Sequence, residues 1–207
     1  PGQDYVFGPF TVEPVKMAHS IPESMGLIIK TALGTLFHSG DWKIDATPYV
    51  GWATDEERLR RLGDEGVLAL ICDSTNVTRD GISPSETEVA HTLKEIIAKA
   101  KGRVCVTTFA SNVARIRAVA EAAVACGREV IAVGRAMDRV IEVARECGLL
   151  EGLPDFRSVD VYGYLPRDKV VALVTGSQGE PRAALARIAE GNHPDITLTP
   201  GDQVIFS

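Results

Sequence analysis

The stretch "RVCVTTFASNVARIRAVAEAAVACGREVIAVG", residues 103–134, decides the fold class. Arg103–Thr108 reads as a strand, Asn112–Cys126 as a helix stopped by Gly127, and Glu129–Val133 as the next strand. The same alternation continues on both sides. Downstream come a helix over Met137–Cys147 stopped by Gly148, a less regular piece over Leu149–Pro166, and a strand over Val170–Thr175. A helix from Pro181 to about Glu190 follows, then strands over Asp195–Thr199 and Gln203–Phe206 flanking the turn Pro200-Gly201-Asp202. Upstream, Ser83-Pro84-Ser85-Glu86 offers an N-cap, a Pro at the first helical position and an acid at the third. That helix is expected to run through Glu88–Lys101 and stop at Gly102. Repeated strand–helix units of this length predict an α/β domain with a mostly parallel sheet and helices on both faces.

The first third has a different rhythm. Tyr5–Phe7 and Phe10–Met17 read as strands around Gly8-Pro9, and Gly26–Thr31 with Thr35–His38 as a β-hairpin. A polar helix at about Thr54–Leu62, capped by Thr54 or Asp55, precedes Val67–Cys72, "VLALIC". That apolar run has the character of a strand buried on both faces. Two pieces of different character therefore join near Asp73–Asp80, with no internal repeat between them.

At 207 residues the chain can bury a sizeable core, in one large domain or two small ones. No apolar run approaches the length that spans a bilayer, and "PGQDYVFGPF" lacks the basic-then-apolar pattern of an export signal. The net charge of −6 argues against a chain that coats itself in nucleic acid by bulk electrostatics, though seven arginines between Arg103 and Arg145 leave room for a local basic groove. Cys72, Cys105, Cys126 and Cys147 form no CxxC pair and read as free thiols packed as small hydrophobes in a reducing compartment.

Two groups of residues could carry chemistry. His19 follows a β-rich run, and Asp41 lies just past Gly40 at the end of the hairpin's second strand. An imidazole and a carboxylate on neighbouring strand ends could share a divalent ion, but a hydrogen-bonded structural His and a "GD" turn explain the same letters. His38 reads as a neighbour, and His91 and His193 as a helix-surface and a loop residue. In the second half, the carboxyl ends of successive strands are small and polar: Asp73-Ser74-Thr75-Asn76, Thr107–Asn112, Gly134-Arg135 and Thr175–Pro181. Ser111-Asn112 and Glu180-Pro181 open into helices, whose N-termini favour a phosphate, and Arg135 could pair with an oxyanion. Helix caps and turns account for these residues equally well.

Read together, "AHSIPESMGLIIKTALGTLFHSGDWKID", "CDSTNVTRDGISPSE", "TFASNVARI", "GRAMDR" and "TGSQGEPRAALARIA" resemble bacterial ribonuclease J, of the metallo-β-lactamase group that carries a β-CASP domain. "HSIPES" and "TGSQGEP" are the specific elements. The resemblance implies that residues 1–80 are the second part of a metallo-β-lactamase αββα domain and residues 81–207 a nearly complete β-CASP domain. It implies His19 and the bridging Asp41 as metal ligands, Asp73 as an acid supporting the metal centre, and Ser111, Asn112, Gly176 and Ser177 as lining an RNA path or terminal-phosphate pocket. The cofactor implied is zinc or manganese, two ions in a complete site. The activity implied is hydrolysis of RNA phosphodiesters by a metal-activated water, from a 5′-monophosphate end or internally. RNA is the expected partner, with no membrane, a cytoplasmic location and a homo-oligomer for the full-length protein. Ala136 stands where the family commonly has Ser. The family's HxHxDH motif and its later His motifs would lie outside these 207 residues, so the chain alone is expected to bind metal poorly and hydrolyse little.

A variant with the same chemistry is another metallo-β-lactamase-fold hydrolase, acting on DNA or another phosphoester, and the resemblance alone favours RNA. Two other classes compete with a nuclease. One is a non-catalytic nucleic-acid-binding subunit that kept the groove, against which the presence of both His19 and Asp41 speaks. The other is a nucleotide-binding α/β domain, which lacks GxGxxG and GxxxxGK[ST].

Overall fold

Tyr5–Phe7 (β1) and Phe10–Lys16 (β2) pair antiparallel around a turn in which Gly8 takes a positive φ of 57°. In this computed structural model, which describes Pro1–Ser207, β2 pairs with Met25–Thr31 (β3), and β3 with Gly34–His38 (β4), all antiparallel. A fifth strand, Ala69–Ile71 (β5), adds parallel to β4, giving the order β1-β2-β3-β4-β5. Two reversals of direction separate β2 from β4, so β2, β4 and β5 run the same way and end at one edge. These strands belong to the first of two compact units, Pro1–Thr87; the second is Glu88–Ser207.

One face of the first sheet carries Val15, Ile28 and Phe37, packed with Met17 against Leu59 and Leu62 of helix α1 (Glu56–Glu65). Gly26 is required there, because a Cβ would come within 2.8 Å of the Phe37 ring. Arg58 reaches from α1 to Glu13 on β2 with two parallel bonds, Nε to Oε1 at 2.6 Å and Nη2 to Oε2 at 2.8 Å. The Arg58 hydrogen bonds hold the Glu13 carboxyl below its ordinary value despite its burial. Asp55 caps α1 by accepting from the Arg58 N–H at 2.9 Å, and the helix runs three residues past the expected end at Leu62.

Helix α2 (Glu86–Lys99) starts at Glu86, not with Pro84 in its first turn. Asp45 accepts the Glu86 N–H at 2.9 Å and the Thr47 N–H at 3.0 Å, while Lys43 donates to the Pro84 carbonyl at 2.7 Å. Burial acts to raise the Asp45 pKa, but these amides and the Lys43 ammonium together hold it lowered.

The second unit contains the parallel sheet. Val104–Thr107 (β6), Glu129–Ala132 (β7), Val170–Val174 (β8) and Gln203–Phe206 (β9) pair in parallel in the order β7-β8-β6-β9. The central β6 and β8 are buried on both faces, as their unbroken apolar runs require. Val104, Val106, Val130 and Leu173 pack with Leu93 and Ile97 of α2, with α3 (Val113–Ala125) and with α4 (Arg135–Glu146). On the other side Cys105, Ile131, Ala172 and Val174 meet Tyr162, Ile196 and α5 (Ala184–Ala189). Helices thus cover both faces of a parallel sheet, as the alternation of elements predicts.

Four local expectations fail for identifiable reasons. The "VLALIC" run supplies only the three-residue β5, every residue of it exposed, because it pairs on one side alone at the sheet edge. Cys72 is consequently exposed and not packed, and Cys147 after α4 is exposed as well; Cys126 is half-buried, and Cys105 is the buried thiol, which burial pushes up to about 12. Asp195–Thr199 forms no strand, since its amides are used by side chains: His193 Nδ1 accepts from Asp195 and Ile196, and Asp202 accepts from Thr199. The helix expected from Pro181 begins only at Ala184, after a turn closed by Ala183 N–H to the Glu180 carbonyl at 3.0 Å.

Candidate functional site

The three strands that share a direction in the first unit each end just before a residue of interest. His19 lies three positions past the end of β2, Asp41 three past β4, and Asp73 two past β5. The loops bearing them are cross-linked. The Lys43 N–H donates to the Ala18 carbonyl at 2.8 Å, and Thr54 bonds both segments, accepting from the Ala18 N–H at 2.9 Å and donating to the Lys43 carbonyl at 3.0 Å. Ser39 N–H donates to the Ile71 carbonyl at 2.9 Å, and the Trp42 indole N–H to the Asp73 carbonyl at 3.1 Å. Ser24 Oγ donates to the Asp41 carbonyl at 3.1 Å.

The functional groups differ in how they are engaged. The Asp73 carboxylate takes Oδ1 bonds from Thr75 Oγ1 at 2.6 Å and Thr75 N–H at 2.9 Å. Those bonds, the hydroxyl first, hold its pKa below the usual value, and the nearby His19 adds to the effect. His19 Nδ1 stands 3.4 Å from Ser20 Oγ, which leaves Nε2 as the ring nitrogen without a partner. The exposed Asp41 carboxylate makes no hydrogen bond or ion pair, although its backbone carbonyl is held. His38 is a neighbour, as expected: its Nδ1 accepts the Gly40 N–H at 3.0 Å and shapes the turn into Asp41. An imidazole and two carboxylates suit zinc or manganese. No three His, Cys, Asp or Glu side chains converge closely enough to hold an ion by themselves.

In the second unit, Asn112, Arg135, Gly176 and Ser177 all sit at the carboxyl edge of the parallel sheet, where such folds bind ligands. Asn112 is the N-cap of α3, and its Oδ1 accepts the Arg115 N–H at 2.9 Å. Ser111 is exposed beside it, and Arg135, also exposed, opens α4 after Gly134. Gly176 holds a φ of 120°, and a Cβ there would meet Leu185 Cβ at 2.9 Å. The Oγ atoms of Thr107, Thr108 and Ser177 are buried and have no hydrogen-bond partner. Glu180-Pro181, expected to open a helix, lies in a turn instead.

Sequence reading missed Ser39 and Trp42 and offered Thr54 only as a helix cap, a role Asp55 takes, whereas all three side chains stitch the loops. Thr75, expected only among the small polar residues after the strand, anchors Asp73, and an Asp followed two residues later by Thr is a turn signature.

Comparison with known proteins agrees with the second unit. A family model described as the β-CASP domain of ribonuclease J matches residues 101–207. Ribonuclease J of Sinorhizobium meliloti is 58% identical over 200 residues, covering 97% of this chain and 36% of that protein. The Mycolicibacterium smegmatis and Thermus thermophilus proteins of the same name are 47% and 42% identical, covering 97% and 96% of the chain and 36% and 35% of their own lengths. The chain therefore spans about a third of the length of these curated relatives. A crystal structure of a protein of unknown function from Enterococcus faecalis V583 shares the fold at a TM-score of 0.61, with 14% identity, covering 98% of this chain and 55% of that one. With the parallel sheet, its helices and this family match in agreement, the chain belongs to the ribonuclease J family.

Proposed function

We propose that this chain is the central part of a metal-dependent ribonuclease, with residues 1–80 contributing to a metallo-β-lactamase-type domain and residues 81–207 forming most of the β-CASP domain. One observation carries the metal side: His19, Asp41 and Asp73 follow the carboxyl ends of three strands that run the same way, in loops bonded to one another. His19 would help hold zinc or manganese through Nε2, and Asp41 through a carboxylate that no protein group occupies. Asp73, its Oδ1 anchored by Thr75, keeps the second carboxylate in a fixed orientation beside them. A bound metal would lower the pKa of a water towards 7 and supply the nucleophile.

The RNA side is assigned to the edge of the second sheet. Ser111, Asn112 and Ser177 offer donors, Gly176 permits the tight turn against Leu185 that leads into Ser177, and Arg135 supplies the positive charge for a backbone or 5′-terminal phosphate. The unpartnered Ser177, Thr107 and Thr108 hydroxyls support this reading. It extends to attack from a 5′-monophosphate end or internally, to a cytoplasmic location and to a homo-oligomer. No helix is long and apolar enough to cross a membrane. With only part of a donor set, the isolated 207 residues hydrolyse little.

The test uses the complete polypeptide that carries this chain. Metal content is counted by plasma emission, and hydrolysis of 5′-monophosphorylated RNA is followed before and after chelation. Two metal ions per chain, activity lost on chelation, and at least a 100-fold drop in His19→Ala and Asp41→Ala are expected. Chelation-resistant cleavage, or full activity in both variants, refutes the assignment.

A further inference from the structure

Asp73 is held at both ends of its backbone by side chains from the segment that bears Asp41. Its N–H donates to Ser39 Oγ at 3.1 Å, and its carbonyl accepts the Trp42 indole N–H at 3.1 Å. Ser39 is itself fixed: it is only 2% exposed, its N–H bonds the Ile71 carbonyl at 2.9 Å, and its hydroxyl donates to the Gly40 carbonyl at 2.6 Å. The Trp42 ring lines an apolar groove with Met17, Phe37, Leu62, Leu70 and Cys72, which orients the indole. Asp73 follows an edge strand, where a backbone N–H and C=O ordinarily go to water. Here both are committed to the two residues that flank Gly40-Asp41 in sequence.

We infer that Ser39 and Trp42 are positioning residues that lock the spacing between Asp41 and Asp73, so that the two acids present to metal as one rigid pair. The inference rests on the reading of these acids as parts of a metal centre. With Thr75 on Oδ1, the backbone N–H, the backbone carbonyl and a carboxylate oxygen of Asp73 are each held by a hydrogen bond. Asp41, by contrast, has only its backbone held. Coupling the loop of the unpaired acid to the anchored acid is what an outer shell does for metal ligands, and losing such a partner typically weakens metal binding 10–100-fold.

The experiment measures Mn2+ affinity, counting free ion by electron paramagnetic resonance, in the complete polypeptide and in Trp42→Phe, Ser39→Ala, Asp73→Ala and the two double variants with Asp73→Ala. Trp42→Phe keeps an aromatic ring in the groove and removes the N–H along with part of the bicycle, so its melting temperature is measured beside its affinity; Ser39→Ala removes only the hydroxyl. Each single variant is expected to bind Mn2+ about tenfold more weakly, and neither to weaken it further once Asp73 is Ala. A merely structural role would lower the melting temperature while leaving the affinity, or would weaken binding equally in both backgrounds; either outcome overturns the inference. Parent-like binding in Asp73→Ala also overturns it, and marks the failure as that of Asp73's place in the metal centre.

Discussion

Replacing Asp202 by Ala is expected to cost the second unit about 4 kcal/mol. The side chain is 1% exposed and sits where the turn at Pro200-Gly201 delivers the chain into β9. Its Oδ1 accepts the Arg103 N–H at 2.9 Å, and its Oδ2 accepts the Thr199 N–H at 2.9 Å and hydroxyl at 3.0 Å. Arg167 adds a 2.8 Å contact but is 44% exposed, so solvent screening leaves it little weight. Truncation strands two backbone N–H groups, at about 1–3 kcal/mol each, and removes the counter-charge of the largely buried Arg103 guanidinium. Asp202→Asn keeps one carbonyl oxygen and should lose about half as much. With an unfolding slope of about 2 kcal/mol per molar urea, the midpoint falls by about 2 M for Ala and about 1 M for Asn, read by far-UV ellipticity. The dependence on pH has a fixed sign. Burial acts to raise the Asp202 pKa, but Arg167 and the two amides outweigh it and hold it below its ordinary 3.8. The stabilisation is therefore complete above that ordinary value and disappears as pH falls through the folded value. Parent and Asp202→Asn should differ most near neutrality and converge in acid. A midpoint shift under about 0.5 M in the Ala variant, or a gap that widens in acid, refutes the account.

Three further outcomes are expected. Asp55→Ala removes the cap of α1 and costs about 1 kcal/mol by urea unfolding, whereas Asp55→Asn stays close to the parent. Gly176→Ala combines a φ of 120° with the 2.9 Å approach to Leu185 Cβ, while Gly179→Ala has a φ of 74° and open space; the melting temperature should fall at least twice as far in the first. Arg135→Ala, at the edge assigned to RNA, should weaken binding of single-stranded RNA and reduce the slope of log affinity against log salt by about 0.7, the value for one phosphate contact.

The second unit was legible because its rules are local. Gly127 and Gly148 do end turns after α3 and α4 at positive φ, and the apolar β6 and β8 could only be central strands. The errors fall where a distant side chain competes with local propensity. Pro84 looked like a first helical residue, but its carbonyl is taken by Lys43 and the helix is started by Asp45, about forty residues away in sequence. Asp195–Thr199 had the composition of a strand, yet His193 and Asp202 had already claimed its amides. "VLALIC" carries enough apolar surface for a buried strand and lies exposed at an edge.

The candidate metal edge was legible in a different sense. Its reactive groups were readable as letters, because imidazole and carboxylate announce their chemistry wherever they stand. What holds them was not. Strand direction is decided by pairing: only the antiparallel steps from β2 through β3 to β4, and the parallel step to β5, bring the residues after all three strands to one edge. A single inverted pairing would send His19 or Asp73 to the opposite end of the sheet with the sequence unchanged. The hydroxyl of Thr54 and the indole of Trp42 likewise acquire a role only once the loops they bridge are adjacent. Donor identity is thus a property of the sequence, whereas donor geometry belongs to the sheet, and substitutions that spare every ligand but disturb Ser39, Trp42 or Thr54 are where that distinction becomes measurable.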